Sequence, residues 1–256
     1  MKVVVFGAAG WLGRAILMNF NDQHEVRAVD HGPQAWKAWS DIDGPWDRGE
    51  VIHMDIADFA EVDNAVAGMD AIVHVAVYFP SKVERHGEEA DKAFLVNLKG
   101  LWNVLESARK HHVKRVVHIG SCQTVHPKGV FFSAEVRRPD ASLYAVNKRL
   151  QEEMCRQYHD AFGTPIIVLR PDYIVDSRLG IGRSREKLGP GGSRRSNGWV
   201  CRHDLAEACR LAIESSSIDF DIFHVVGTPE ADTSCNVARS REILGLNYRG
   251  DLEQYR

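Results

Sequence analysis

The sequence predicts an α/β fold, a doubly wound parallel sheet with helices on both faces. Three observations predict it. Short apolar, β-branched runs alternate with amphipathic stretches along most of the 256 residues. The run Ala71–Val77 is apolar almost throughout, as expected of a strand covered on both faces. The spacers between runs are long enough for helical crossovers, which parallel strands require.

The elements follow in order. Val3–Phe6 reads as a strand that enters a glycine turn, and Trp11–Phe20 as the helix leaving it. Glu25–Asp30 is the second strand. His31–Gly49 breaks the rhythm, with Trp36, Trp39 and Trp46 among Gly, Pro and Asp, and reads as a surface excursion with its own aromatic anchor. Val51–Met54 is the third strand and Phe59–Ala67 its helix. After Ala71–Val77, one long helix is expected over Glu89–Lys110. Arg115–Ile119, helix Leu143–Phe162 and strand Pro165–Arg170 continue the alternation. Asp176–Gly198 holds six glycines and six basic residues, a composition that predicts a mobile loop. A helix at Asp204–Ser215, a strand at Phe220–Val226 and a short helix at Asn236–Leu244 complete the chain. The division expected is a core over 1–171 and a small substrate-binding part over 172–256, interleaved so that they form effectively one domain.

Composition narrows the function. Hydrophobic residues make up 44% and the net charge is -3, so no overall field recruits nucleic acid or a membrane surface. No run reaches the length of a membrane span, and the opening Met1-Lys-Val-Val-Val-Phe-Gly lacks the features of a signal peptide. Five cysteines with irregular spacing and no C-x-x-C pair suggest a reduced, cytoplasmic protein without a structural metal.

Two motifs carry chemistry. Gly7-x-x-Gly10-Trp11-Leu12-Gly13 lies between a strand and a helix, the context of a turn that cradles a pyrophosphate at a helix N-terminus. Asp30 ends the next strand, where a carboxylate binds both hydroxyls of an adenosine ribose and repels a 2′-phosphate, so NAD is expected rather than NADP. Asp55-Ile56 ends the third strand, where the adenine edge would lie. Downstream, Tyr144-Ala-Val-Asn-Lys148 puts a phenol and an ammonium on one helix face. The lysine can lower the phenol pKa and make it a general base toward a hydroxyl. Ser121, just past an apolar strand, is the candidate for holding that hydroxyl.

With these residues in place, the chain resembles an extended short-chain dehydrogenase/reductase of the NAD-dependent epimerase/dehydratase family. Further matches are Asn97 in Val-Asn-Leu-Lys-Gly and Leu169-Arg-Pro171. Trp199-Val-Cys-Arg-His-Asp204 resembles the segment that returns the chain to the sheet, although Asp204 reads equally as a helix N-cap. The resemblance implies a Rossmann-like fold and NAD bound by Gly7, Gly10, Trp11, Leu12, Gly13, Asp30, Asp55, Ile56, Val75, Ala76, Tyr144, Lys148 and Pro171. It implies catalysis by Tyr144, Lys148, Ser121 and Asn97, with no metal.

Within the superfamily the chain is most similar to uronate dehydrogenases and related short sugar dehydrogenases. That likeness implies a small sugar or sugar-acid substrate touched by Ser121, Cys122, Gln123, Tyr173 and Arg183, with Arg183 meeting a carboxylate. Roughly eighty residues follow Arg170, little room for a nucleotide-linked sugar. Cys122 and Gln123 replace the family's substrate-contacting Asn and His, and Tyr173 replaces a small Ser. Both Ser121 and Cys122 are candidates for the third catalytic position, and a hydroxyl donates better than a thiol. An epimerase or carbonyl reductase is the alternative activity, and a non-catalytic dinucleotide sensor the alternative of another class. The two long helices resemble those that build a homodimer interface in the family.

Overall fold

The structure, a computed structural model, describes residues 1–79, 86–122, 140–192 and 198–255, the side chain of Ser234 left aside. Its centre is one parallel sheet. Strands β1 (Lys2–Phe6), β2 (Glu25–Asp30), β3 (Glu50–His53), β4 (Ala71–His74), β5 (Arg115–Ile119), β6 (Ile166–Pro171) and a late strand, β10 (Phe220–Val225), lie in the order β10-β6-β5-β4-β1-β2-β3. The order reverses between β1 and β4, which pair in parallel with Val3 opposite Ala71. A crevice opens at such a reversal, beyond the carboxyl ends of the strands.

Burial explains the strand sequences. Val3, Val4 and Val5 are fully buried, as is every residue of β4. One face is covered by α1 (Trp11–Phe20) and, from the last third of the chain, α8 (Arg202–Glu214), through Ile16, Leu17, Leu205 and Cys209. The other face is covered by α4 (Phe59–Val66), α6 (Gly100–Lys110) and α7 (Leu143–Phe162), through Val62, Leu101, Leu105 and Cys155. The chain beyond residue 172 returns to the main sheet as β10, with Phe223 opposite Leu169.

Four expectations are corrected. The long helix is three pieces: α5 (Glu88–Phe94), a π-helical turn over Leu95–Lys99, and α6. A π turn adds one residue to the helix, and here it holds Asn97. The excursion keeps its expected aromatic anchor and holds two short helices, α2 (Pro33–Lys37) and α3 (Ser40–Asp43). Its tryptophans have partners: Trp39 packs on Trp11 with ring centres 4.6 Å apart. The Arg14 guanidinium lies 5.8 Å from the ring centres of both Trp36 and Trp46.

The glycine-rich segment, expected to be mobile, is structured where it is described. Strands β7 (Tyr173–Asp176), β8 (Ile181–Gly182) and β9 (Trp199–Cys201) form a second small sheet, and Leu188 is buried with Val175, Trp199 and Leu252. Residues 193–197 lie outside the described residues. Ion pairs tie this layer down. Arg202, fully buried, donates to Asp43 at 2.6 and 2.7 Å and to Asp176 at 2.8 Å. Arg185 bridges to Asp41 at 2.6 and 2.9 Å and donates to the Ala38 carbonyl at 2.7 Å. Composition misled here because glycines that cannot pack themselves still let the arginines between them reach partners.

Asp204, finally, is not an N-cap. It sits in the first turn of α8, behind the N-cap Cys201, and accepts from the amides of Arg249 and Gly250 at 2.9 Å each. Its role is to tie the C-terminal segment to the helix. The last helices, α9 (Ala231–Ser234) and α10 (Ala238–Glu242), are shorter than the expected Asn236–Leu244.

Candidate active site

The dinucleotide end forms at the sheet reversal. Gly7 has φ +85, and a Cβ there would stand 2.7 Å from the amide nitrogen of Ala76. Only glycine allows the turn after β1 to press against the end of β4, where Val75 donates to the Phe6 carbonyl at 2.9 Å. At Gly13 a Cβ would meet the Gly7 carbonyl oxygen at 2.2 Å, so helix and turn close on each other. Helix α1 starts with no side-chain cap and no acidic residue in its first turn. Its positive end at Trp11 and Leu12 therefore remains available to an anion.

Asp30 is held by that turn. One carboxylate oxygen accepts from Ala9 N at 2.9 Å, the other from His31 N at 2.8 Å. Asp55 caps its own turn, accepting from Ala57 N at 2.9 Å. The Ile56 carbonyl accepts from Asn103 at 2.9 Å, and a Cβ at Gly100 would stand 2.8 Å from the Ile56 side chain. Asn103, which the sequence did not single out, thus fixes this edge. Pro171 ends β6 opposite Val225. An anion-ready helix end, a glycine cradle and a positioned carboxylate fit a dinucleotide with a free ribose 2′-hydroxyl.

The chemical end is built on α7. Ser142 caps the helix, its hydroxyl accepting from Ala145 N at 3.3 Å, so Tyr144 falls in the first turn. Lys148, four residues on, is buried and donates to the Ile119 carbonyl at the end of β5, 2.7 Å away. Burial lowers its pKa to about 8, and Glu152 opposes the shift. Glu152 is in turn gripped by the buried Arg170 at 2.5 and 2.8 Å. Nearby, the buried His74 and His118 bring their Nδ1 atoms to 3.0 Å. Burial first, and the Lys148 charge second, push the pKa of His74 down to about 3.

Burial also raises the phenol pKa of Tyr144, and a hydrogen bond with Ser121 and the positive charge of Arg183 oppose it. Arg183, from the glycine-rich segment, adds a positive charge at this phenol, while Lys148 donates to Ile119. Arg183 lies with its guanidinium 4.3 Å from the centre of Phe79, and Phe79 stacks on Tyr144. Phe79 had no signal in the sequence, because it sits in a short stretch without periodicity.

Asn97 is a brace. Its side chain accepts from Tyr78 N at 2.7 Å and donates to the Tyr78 carbonyl at 3.0 Å, while its own carbonyl accepts from Gln151 at 2.7 Å. The π turn therefore joins the segment after β4 to α7. Cys122 is fully buried among Val226, Ala231, Cys235 and Val237, and its thiol donates to the Arg170 carbonyl at 3.2 Å. Burial raises its pKa well above the usual thiol range. Tyr173 donates from its hydroxyl to Glu186. Gln123 lies outside the described residues.

Residues 3–178 match the model of the NAD dependent epimerase/dehydratase family. The chain belongs to that family. The cofactor is NAD. Among curated proteins, a uronate dehydrogenase from Pseudomonas putida is 34% identical over 176 residues, 66% of this chain and 59% of that protein. One from Pseudomonas syringae pv. tomato is 28% identical over 232 residues, 88% of this chain and 74% of that protein. Among solved structures, a UDP-glucuronic acid 4-epimerase from Bacillus cereus superposes with a TM-score of 0.79 at 16% identity, over 100% of this chain and 96% of that one. A mutated uronate dehydrogenase superposes at 0.73 and 23% identity, over 99% and 83%. These two likenesses speak to the fold.

Proposed function

We propose that this family member is a dehydrogenase that oxidises a hydroxyl of a small sugar or sugar acid, acting at the anomeric carbon of a uronate-type substrate to give a lactone. The observation that carries the reading is the cluster of Tyr144, Ser121 and Arg183 at the carboxyl end of β5, beside buried Lys148. The relatives that bear the name uronate dehydrogenase support it.

Bound NAD supplies the hydride acceptor. Ser121 hydrogen-bonds the substrate hydroxyl and orients it. Tyr144, as phenolate, takes the hydroxyl proton while the hydride leaves the same carbon, so a carbonyl forms and both electrons leave with the hydride. Arg183 favours the phenolate and offers a guanidinium to a substrate carboxylate. Lys148, held by Ile119, would donate to the nicotinamide ribose when the cofactor is bound, and Asn97 keeps the helix carrying both in register. The Cys122 thiol donates to a backbone carbonyl, which supports Ser121 for the third catalytic role.

The protein acts as a homodimer in this reading. Trp102 on α6 is 51% exposed, and Leu150 and Phe162 on α7 are 42% and 56% exposed, an apolar face that a second copy would cover.

The test is NAD reduction by the purified protein across uronates, neutral aldoses and sugar phosphates. Turnover of uronates above the others is expected. Bound NADH without net NADH release under turnover would favour an epimerase instead.

A further inference from the structure

Two buried polar atoms near the reacting tyrosine lack a hydrogen-bond partner among the described residues: Oδ2 of Asp172 and Oγ1 of Thr228. Asp172 follows β6 and Thr228 follows β10, and these two strands are neighbours in the sheet. Ser121 and Cys122 follow β5, the next strand over. All four therefore lie beyond the carboxyl ends of adjacent parallel strands, the edge at which open α/β sheets bind ligands.

The two unmatched atoms bracket one spot. A Cβ on Gly198 would stand 3.5 Å from Asp172 Oδ2 and 3.2 Å from Thr228 Oγ1. It would also collide with Val226 at 2.3 Å, so residue 198 cannot carry a side chain to cover them. The charge of Asp172 contributes at both Tyr144 and Cys122, so the carboxyl lies on the reacting side of the sheet edge. Desolvation alone raises the Asp172 carboxyl to about 7, which leaves it able to accept or to donate near neutrality. Buried polar groups are normally paired, so two unmatched atoms side by side at a ligand edge call for a partner from outside the fold.

We infer that Asp172 and Thr228 form a hydroxyl-binding subsite that grips a polyhydroxylated substrate next to the carbon on which Tyr144 acts. The inference rests on the sugar-dehydrogenase reading and adds to it. Arg183 meets an anionic group; Asp172 and Thr228 read neutral hydroxyls. A carboxyl accepts from one hydroxyl of a vicinal pair and a threonine hydroxyl can donate to its neighbour. A substrate with a methylene there leaves both atoms unmatched, which is how such sites reject deoxy analogues.

The experiment compares wild type, Asp172→Asn and Thr228→Val on sugars and their 2-deoxy and 3-deoxy counterparts. NAD reduction gives KM and kcat separately, and thermal melting with NAD titration identifies folded variants. Wild type is expected to prefer one hydroxylated sugar over its deoxy partner by roughly 100-fold in kcat/KM. Each folded variant is expected to cut that preference to roughly 10-fold or less, mainly through KM for the hydroxylated member. Either folded variant alone decides the matter. A preference unchanged in the variants means that the two atoms hold a resident water or nothing, and overturns the subsite alone. Wild-type protein that reduces NAD with no sugar at all overturns the subsite and the dehydrogenase reading together.

Discussion

Phe79 stacks on Tyr144 with ring centres 5.0 Å apart and planes 21° from parallel. The ring shields one face of the phenol and offers its own π surface to Arg183. Replacing Phe79 by Ala should lower kcat by roughly 10- to 100-fold, since both the phenol and the guanidinium lose their seat. Phe79→Leu should keep the shielding but lose the cation–π contact, with a smaller loss. Steady-state rates of the two variants, with NAD affinity as control, check this.

Tyr144→Phe should reduce kcat by roughly 10²- to 10⁴-fold, the usual contribution of a positioned proton acceptor. NAD binding, measured by titration, should stay within about twofold, because the glycine cradle and Asp30 are untouched. Retained turnover would reject the proton-transfer role.

Asp172→Asn carries a pH-dependent stability signature. The carboxyl rises in the folded protein from the usual 3.8 to about 7. The unfolded chain therefore releases this proton first, and wild-type stability is lost as the pH climbs from about 4 to about 7. Below that window the variant and wild type should melt together. Above it the asparagine form should be more stable by about 1–4 kcal/mol. Melting temperatures at pH 4.5, 6 and 8 measure the gap, and a constant difference would contradict the sign.

Arg202→Ala should be among the most damaging single changes outside the catalytic residues. It takes from the buried Asp43 its bidentate guanidinium and leaves the buried Asp176 only the more exposed Arg178 and His203. Removing one partner of a buried pair costs about 3–5 kcal/mol. Denaturant midpoints for Arg202→Ala and for Asp41→Ala, which breaks an exposed pair worth about 1 kcal/mol or less, should differ clearly.

Trp102→Glu should yield a monomer. Trp102 meets Tyr158 edge to face at 5.4 Å, and Tyr158 meets Phe162 at 5.4 Å, so a continuous aromatic strip crosses α6 and α7. A charge at its end would stay unpaired in any copy-to-copy contact. Light scattering on wild type and variant decides it; a monomeric wild type would remove the dimer from the proposal.

The strands, the glycine turn and the Tyr144–Lys148 spacing were legible in the sequence because each is local: alternation, turn chemistry and helical period act within a dozen residues. What was illegible depends on distant partners. The excursion announced itself by Trp36, Trp39 and Trp46, but nothing near them named Arg14 and Trp11 as what they would meet. The glycine-rich segment read as loose because Arg185 finds Asp41 144 positions away. The π turn at Asn97 is a one-residue insertion with no propensity of its own. Asp172 looked like an ordinary polar residue after a strand, since its burial is decided by β10 and Gly198. The phenol's cation was assigned to Lys148 by helical spacing; the fold adds Arg183, from a segment that closes over the site.

The clasp from Arg185 to Asp41 and Ala38 joins two segments with different clients. The excursion rests on Trp11, at the first turn of the dinucleotide helix, and the Arg185 segment also carries Arg183 to the phenol. Whatever steadies one half of the clasp lowers the entropy still to be lost by the other. Coupling of that kind is reciprocal: a nucleotide that favours the clasped arrangement tightens the sugar by the same factor as the sugar tightens the nucleotide. On the proposed reading, the clasp would make cofactor and substrate mutual effectors within a single small chain.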